Sequence, residues 1–270
     1  MSALDELFAR CRTEGRAALI GYLPAGFPST PDAIAAMEAM VDGGVDAVEV
    51  GLPYSDPLLD GPVIQQAVEA ALVFGLHIDD ALSAVSAVSS TGAPTLVMSY
   101  WNPIERYGVE KFAAALAKAG GAGAITADII PDEVGDWIEA SKANSLDRIF
   151  LVAPSSTEER IAKTVAAASG FVYAAAVMGV TGAREDVGAA ARHLVERTKL
   201  ATTLPVCVGL GVSTGAQAAE IAQFADGVIV GSAFVRCLLD APSTSAGTEA
   251  VRNLASELAA GVREPAHAQS

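Results

Sequence analysis

Short apolar runs alternate along the chain with longer stretches in which apolar residues recur every three or four positions. The first pattern is typical of β-strands buried on both faces, and the second is typical of amphipathic helices. Gly and Pro residues separate most of the runs and mark turns. The chain is therefore predicted to contain eight strand–helix units. The predicted strands are Ala17–Tyr22, Val45–Val50, Thr95–Ser99, Gly123–Ala127, Arg148–Ala153, Phe171–Ala176, Pro205–Leu210 and Asp226–Val230.

A further helix is predicted before the first strand, because the apolar residues between Leu4 and Cys11 fall at helical spacing. The charged residues among them indicate an amphipathic surface helix and not a targeting signal. Pro31 in a first turn favours a helix start there. The helices after the strands are predicted at Thr30–Gly43, Gly61–Ala71, Asp79–Ser90, Val109–Ala119, Asp132–Ala143, Thr157–Ala168, Glu185–Leu200, Thr214–Gln223 and Thr248–Ala260.

Eight strand–helix units within about 250 residues of this 270-residue chain match a (β/α)8 barrel. The predicted fold class is therefore α/β, a TIM barrel with an extra N-terminal helix. A doubly wound open sheet is the alternative, although that fold usually has fewer strands at this length. No shift in composition marks a linker. Residues 1–262 are therefore predicted to form a single barrel domain, followed by a disordered tail at 263–270.

The composition narrows the possible partners and compartments. The formal net charge of -15 at pH 7 argues against nucleic acid or an anionic membrane surface as a partner. No apolar run is long enough to cross a membrane. The three cysteines are odd in number and far apart, as expected of free thiols in a reducing compartment. A cytoplasmic location is therefore predicted.

Two carboxylates are candidates for acid–base chemistry. Glu49 lies among valines near the end of the second predicted strand, and Asp60 lies on the loop that follows. Burial of Glu49 would raise its pKa towards neutrality, whereas Asp60 on a wetter loop is expected to stay ionised. These residues alone leave an alternative open, in which Glu49 is a rim charge and the aspartates only form turns.

The barrel fold brings other polar residues to the same place, because active sites in this fold lie at the C-terminal ends of the strands. Their convergence with Glu49 and Asp60 favours the functional interpretation of both carboxylates. The polar residues predicted at these strand ends are Tyr22, Tyr100, Asn102, Asp128 and Tyr173.

Glycine-rich loops follow the last strands and are candidates for binding a phosphate. Gly209 and Gly211 end the seventh strand, and Gly231 and Ser232 follow the eighth, where a short helix starts. Accessible N–H groups and a helix dipole are suited to an anion there. Gly182, in the loop after the sixth strand, is expected to reach the same anion. The alternative is that these glycines serve tight turns only.

Two other kinds of catalysis are disfavoured. All five lysines fall on predicted helices, whereas a Schiff-base aldolase requires a lysine inside the barrel. No two of the three histidines have the spacing of metal ligands. Carboxylate acid–base chemistry on a phosphorylated small molecule remains, and the residues by themselves do not identify that molecule.

The segment from Glu49 to Gly61, E-V-G-L-P-Y-S-D-P-L-L-D-G, resembles the signature of the tryptophan synthase alpha chain family. The resemblance covers nearly the whole chain and implies a lyase that cleaves indole-3-glycerol phosphate to indole and glyceraldehyde 3-phosphate. The other motifs that agree, in order, are Gly21-Tyr22, Tyr100-Trp101-Asn102-Pro103, Asp128-Ile129-Ile130-Pro131, Tyr173, Gly179-Val180-Thr181-Gly182, Gly209-Leu210-Gly211 and Gly231-Ser232.

The resemblance also implies roles for single residues. Glu49 would donate and then accept a proton, while Asp60 would accept the indole N–H. Tyr22, at a position where the family usually has Phe, would lie near the indole. Tyr173 would support Glu49 or the glycerol portion of the substrate. The residues whose backbone would hold the phosphate are Gly182, Gly211, Gly231 and Ser232.

A partner is implied by the same resemblance: a beta chain that carries pyridoxal phosphate, in a heterotetramer of two alpha and two beta chains. This chain itself would carry no cofactor. The loop after the second strand and the segment Tyr100–Tyr107, predicted as a loop, would face that partner. A stand-alone lyase and a non-catalytic activating subunit remain alternatives. The loop Gly179–Asp186 is expected to be mobile when empty, and its Thr181 to hydrogen-bond with Asp60 on closure.

Overall fold

The computed structural model describes residues 1–129, 135–176 and 184–264, with the backbone alone for residues 184–187. Its strands pair in parallel in chain order, and the last strand pairs with the first to close a barrel. The predicted (β/α)8 barrel is confirmed, and the open sheet is excluded. The strands are β1 (Ala18–Pro24), β2 (Ala47–Gly51), β3 (Thr95–Ser99), β4 (Gly123–Thr126), β5 (Asp147–Val152), β6 (Val172–Ala175), β7 (Val206–Gly209) and β8 (Gly227–Val230).

Helices surround the barrel, and the N-terminal helix precedes the first strand as predicted. Most lie within a few residues of their predicted positions. Within the described residues they are α1 (Ala3–Thr13), α2 (Thr30–Asp42), α3 (Pro62–Val73), α4 (Ile78–Ser89), α5 (Trp101–Tyr107), α6 (Val109–Lys118), α7 (Gly135–Ala143), α8 (Glu158–Ala167), α9 (Arg184–Ala201), α10 (Gly215–Ala222), α11 (Ser232–Leu239) and α12 (Thr244–Arg263).

The apolar face of α1 closes the N-terminal end of the barrel. Its side chains pack with the inward-facing residues of the strands, and Phe8 meets Phe171 edge-on with ring centroids 5.9 Å apart. The expectation of a surface helix is therefore correct only for the polar face of α1. The interior cluster that α1 joins contains Leu4, Leu7, Phe8, Cys11, Ala18, Ile20, Ala47, Leu96, Ile125, Ile149, Phe171, Cys207 and Ile229.

Two helical segments differ from the sequence prediction. The predicted loop Tyr100–Tyr107 is wrong, because Trp101–Tyr107 forms the helix α5. Asp128 caps it by accepting a hydrogen bond from the Trp101 N–H at 2.7 Å, and Pro103 is tolerated within the first turn. Helix α12 begins four residues earlier than predicted, because the Ser243 side chain caps its start by accepting a hydrogen bond from the Ala246 N–H.

The helices were also compared with the length needed to span a bilayer. In residues 1–129, 135–176 and 184–264, no single helix is long and apolar enough to cross a membrane. Helices α3 and α4 together have the necessary length and composition, but they bend by 113° at the break between them.

Candidate active site

Glu49 projects into the barrel from the middle of β2. Ala47 belongs to the interior cluster, whereas Val48 and Val50 pack towards the surrounding helices, so Glu49 falls on the inward face. Strand register pairs it with Tyr22 of β1 and Leu96 of β3. The side chain is 0% exposed, and neither carboxylate oxygen has a hydrogen-bond partner among the described residues.

The surroundings of Glu49 determine its protonation state. Burial in this interior raises its pKa from the ordinary value of 4.5 to about 8, because no donor or cation among the described residues stabilises the ionised form. The side chain is therefore mostly a neutral carboxylic acid at pH 7. A neutral acid can give a proton to a substrate atom and then act as the base that removes another.

Asp60 lies on the loop between β2 and α3. Tyr100, which follows β3, holds this loop in place. The Tyr100 hydroxyl accepts a hydrogen bond from the Leu59 N–H at 2.9 Å, and Gln65 donates to the Asp60 carbonyl at 2.7 Å. Burial raises the pKa of the Asp60 carboxyl, and a hydrogen bond from Tyr100 opposes part of that increase. Two carboxylates in different environments thus share one mouth of the barrel.

Tyr22 and Tyr173 form walls of this mouth. Burial is the main cause that raises the pKa of both phenols, and the charges of Glu49 and Asp60 add to the effect on each. Strand register pairs Tyr22 with Glu49, and the charges of both carboxylates act on both tyrosines, so these four side chains lie near one another. Their predicted roles in catalysis and binding stay predictions.

Gly51 and Gly209 leave space for the rings of these tyrosines. This function was not predicted from the sequence. A Cβ atom at Gly51 would lie 2.6 Å from the Tyr22 ring, and one at Gly209 would lie 2.8 Å from the Tyr173 ring. Each glycine is on the strand next to its tyrosine, two positions beyond the residue paired with it. That spacing is visible in the sequence once the strand register is known.

Asp128 is at the end of β4, where its carboxylate accepts the Trp101 N–H at the start of α5. The side chain is exposed at the rim, and none of its contacts in the described residues joins it to Glu49 or Asp60. The structure thus assigns it a capping contact, while its predicted contact with substrate stays a prediction.

Side chains cap the first turn of α10, the helix that follows β7. The Gln217 side chain accepts a hydrogen bond from the Ser213 N–H at 2.8 Å, and Glu257 accepts one from the Gly215 N–H at 2.8 Å. Thr214 accepts a further bond from the Gln217 N–H at 3.3 Å. These N–H groups at the start of α10 are therefore already engaged.

Helix α11, after β8, has a different start. Gly231 is its N-cap residue and Ser232 its first residue, and no side chain forms a cap hydrogen bond there. Gly211, in the neighbouring loop, has φ +69°, a conformation that favours glycine. The first turn of α11 therefore presents N–H groups and the positive end of the helix dipole to an anion.

Thr181 and Gly182, predicted to contact substrate and phosphate, lie outside the described residues. In the part of the chain that the structure describes, no group of three or more His, Cys, Asp and Glu side chains could hold a metal ion. All five lysines are on helices, as the sequence predicts: Lys111, Lys118, Lys142, Lys163 and Lys199.

The fold and these side chains define a class of protein: a (β/α)8-barrel acid–base enzyme with a place for an anion at its mouth. The sequence model that describes the tryptophan synthase alpha chain matches residues 8–263. The chain belongs to the tryptophan synthase alpha chain family. It is accordingly a carbon–carbon lyase of tryptophan biosynthesis whose substrate is indole-3-glycerol phosphate.

Individual relatives agree with this assignment. The tryptophan synthase alpha chain of Thermobifida fusca is 60% identical over 269 residues, covering 98% of this chain and 100% of the relative. That of Salinispora arenicola is 59% identical over 267 residues, covering 99% and 100%. A structure of Mycobacterium tuberculosis tryptophan synthase is similar with a TM-score of 0.90, 56% identity and coverage of 97% of this chain and 98% of that chain.

Proposed function

We propose that this chain cleaves indole-3-glycerol phosphate to indole and glyceraldehyde 3-phosphate, with Glu49 as the proton donor and acceptor and Asp60 as the partner of the indole N–H. One observation carries the proposal. Glu49 is fully buried inside the barrel, both of its oxygens are unpaired among the described residues, and its pKa is raised to about 8. A carboxyl group in this state is available for a proton transfer to substrate.

The first step is protonation of indole C3 by the neutral Glu49 carboxyl. A C–H bond forms at C3, and the ring acquires a positive charge centred on its nitrogen. The ionised Asp60 carboxylate accepts the indole N–H and stabilises that charge as it develops. The Tyr100 hydroxyl holds the backbone of the Asp60 loop, so the carboxylate is positioned before the reaction begins.

The second step breaks the carbon–carbon bond. Glu49, now a carboxylate, removes the proton from the hydroxyl on the carbon attached to C3. The electrons of that O–H bond form the aldehyde carbonyl, and those of the broken carbon–carbon bond return to the indole ring. Glu49 regains its proton, indole leaves neutral, and glyceraldehyde 3-phosphate is the second product.

The phosphate group binds at the first turn of α11 in this proposal. The net charge of -15 repels an anion at long range, so the binding must come from local dipoles. The N–H groups of Gly231 and Ser232 would supply it, with Gly211 on the neighbouring loop and Gly182 on the loop after β6. The uncapped start of α11, in contrast with the side-chain-capped start of α10, supports this choice.

Tyr22, Tyr100 and Tyr173 would line the path between the phosphate and the carboxylates, with Asp128 at its rim. Tyr173 is affected by the charge of Glu49 more than by that of Asp60, which supports a role beside Glu49. Thr181 would hydrogen-bond with Asp60 when its loop closes over the bound substrate and excludes water.

A beta chain that carries pyridoxal phosphate is the proposed partner, in a cytoplasmic heterotetramer of two alpha and two beta chains. This chain would need no cofactor of its own. Leu58 and Leu59 support the contact, because they are 81% and 55% exposed on the loop that carries Asp60. Exposed leucines beside an active-site mouth fit the apolar centre of a protein interface better than free solvent. Helix α5 would extend the same surface.

The test is turnover of indole-3-glycerol phosphate by the isolated chain, with and without a beta chain, followed by release of indole. Wild type should cleave the substrate, and Glu49→Gln should be at least ~100-fold slower because Gln cannot transfer the proton. Near-normal turnover by a folded Glu49→Gln protein would contradict the assignment. Unchanged turnover on addition of a beta chain would favour a stand-alone lyase.

A further inference from the structure

Tyr22 is an aromatic residue near the C-terminal end of β1, inside the mouth of the barrel. Its side chain is 7% exposed, and strand register places it opposite Glu49. The ring lies between two glycines of neighbouring elements. A Cβ atom at Gly51 would be 2.6 Å from its Cε2 and Cζ atoms, and one at Gly231 would be 3.1 Å from its Cδ1 atom.

These contacts fix the direction of the ring across the site. The base of the ring lies against Gly231, where the proposed phosphate position begins at α11. Its hydroxyl end lies against Gly51, at the end of the strand that carries Glu49. Tyr22 therefore runs from the phosphate end of the mouth to the carboxylate end.

Within the described residues, the hydroxyl at the far end of the Tyr22 ring forms no hydrogen bond. Burial and the charges of Asp60 and Glu49 raise that pKa, with Tyr100 and Tyr173 as the other titratable groups facing it. The phenol therefore keeps its proton in the range where the enzyme works and presents it to the mouth.

The substrate has one polar group that the proposed function leaves without a partner. In that proposal Asp60 accepts a hydrogen bond from the indole N–H, Glu49 deprotonates the hydroxyl on the reacting carbon, and the backbone amides of α11 bind the phosphate. The remaining group is the hydroxyl on the middle carbon of the glycerol chain. That carbon lies between the phosphate and the reacting carbon, as the Tyr22 ring lies between Gly231 and Gly51.

Building on the proposed function, we propose that Tyr22 is a specificity-determining residue whose hydroxyl donates a hydrogen bond to the middle hydroxyl of the glycerol chain. The ring sets the separation between the phosphate and carboxylate ends, and the phenol distinguishes a hydroxylated three-carbon chain from a deoxygenated one. A site that hydrogen-bonds a substrate hydroxyl disfavours the analogue without it, since the donor is then left unpaired.

The test uses the reverse reaction, the condensation of indole with an aldehyde. Wild type and Tyr22→Phe are each assayed with glyceraldehyde 3-phosphate and with 3-oxopropyl phosphate, which lacks only the middle hydroxyl. Tyr22→Phe should lower kcat/KM for glyceraldehyde 3-phosphate by about three- to ten-fold, the value of one neutral hydrogen bond. It should leave kcat/KM for 3-oxopropyl phosphate unchanged, so the preference of wild type for the hydroxylated aldehyde should shrink by the same factor.

Gly51→Ala supplies a second variant that retains the phenol. Its new Cβ atom would overlap the Tyr22 ring and displace the hydroxyl, so the same loss of preference is expected. Equal loss with both aldehydes in Tyr22→Phe, or no loss with either, would overturn the proposal by showing that Tyr22 is only a wall. If wild type fails to cleave indole-3-glycerol phosphate at all, the proposed function itself fails, and the two failures are distinguishable.

Discussion

Asp46 and Glu49 are buried carboxylates three residues apart, at opposite ends of the same strand region. Asp46 precedes β2 at the N-terminal end of the barrel, which α1 closes, and Glu49 lies towards the open C-terminal mouth. They are 8% and 0% exposed. Burial alone therefore does not distinguish a structural acid from one that is proposed to be catalytic.

The partners of Asp46 satisfy both of its oxygens. Arg16 donates to them in a bidentate pair at 2.7 and 2.9 Å, and the Leu19 N–H adds a bond of 2.9 Å. The hydrogen bond to Asp46 is the largest cause that raises the pKa of Arg16. This carboxylate ties the start of β1 to the start of β2 and has no lone pair directed at a ligand.

Glu49 has no such partners in the described residues, and its pKa is raised instead. An unpaired buried carboxyl group lowers stability whenever it is ionised. Hydrogen-bond partners therefore distinguish these two carboxylates. The satisfied Asp46 carboxylate contributes to stability, whereas the Glu49 carboxyl, unpaired among the described residues, is the one that the proposed mechanism uses. Three predictions test this difference between the two carboxylates.

The largest expected effect is the dependence of the free energy of unfolding on pH that Glu49 causes. Folded Glu49 keeps its proton up to about pH 8, whereas the unfolded chain loses it near 4.5. The folded state therefore binds the extra proton between these values, and stability should fall as pH rises through them. The measurement is the free energy of unfolding of wild type minus that of Glu49→Gln, determined from pH 4 to pH 9. This difference should fall by an amount on the order of 4 kcal/mol over that range. A difference independent of pH would show that Glu49 titrates normally.

The next largest expected effect is the loss of stability when the Asp46 carboxylate is removed. Asp46→Asn removes one side of a buried ion pair and should lower the free energy of unfolding by about 3 kcal/mol, measured by urea denaturation. Turnover per folded molecule should be unchanged, because Asp46 lies at the closed end of the barrel. Asp42→Asn is the matched control, since its 3.2 Å pair with Arg252 is solvent-exposed and should matter by less than about 1 kcal/mol. A loss of turnover without a loss of stability in Asp46→Asn would contradict the comparison.

The smallest effect concerns the loop carboxylate. The hydrogen bond from Tyr100 lowers the pKa of Asp60 against the effect of burial, so Tyr100→Phe should raise that pKa. In the proposed mechanism the ionised form of Asp60 is the active one, so the acid limb of kcat/KM should move to higher pH. The alkaline limb, which that mechanism assigns to Glu49, should stay in place. Movement of both limbs together would indicate a general disturbance of the mouth.

The elements of the fold could be predicted wherever local sequence carries the physical signal. Eight apolar runs separated by Gly and Pro are sufficient for eight buried strands, and each strand lies where its run predicts. The helix α5 was missed because its start depends on Asp128, which is 27 residues away along the chain. The start of α12 was missed because Thr244–Gly247 are small residues without hydrophobic periodicity.

The candidate site shows the same division. Its residues could be named from their places at strand ends, since the barrel brings those ends together. The space that Gly51 and Gly209 leave for Tyr22 and Tyr173 could not be predicted, because it depends on the register between neighbouring strands. Asp128 also has a contact that the sequence did not predict, because it caps α5, while its predicted contact with substrate stays a prediction.

Local sequence patterns are sufficient to predict the strand–helix order, the barrel and the presence of Glu49 on a buried strand, because periodicity and chain order are local properties. Which buried carboxylate finds hydrogen-bond partners depends on contacts that form only in the folded chain. Arg16 lies 30 residues from Asp46 along the chain and reaches it only after the barrel has closed. Glu49 has no hydrogen-bond partner among the described residues, because its strand neighbour Leu96 has no side-chain donor and the hydroxyl of its other neighbour, Tyr22, lies against Gly51.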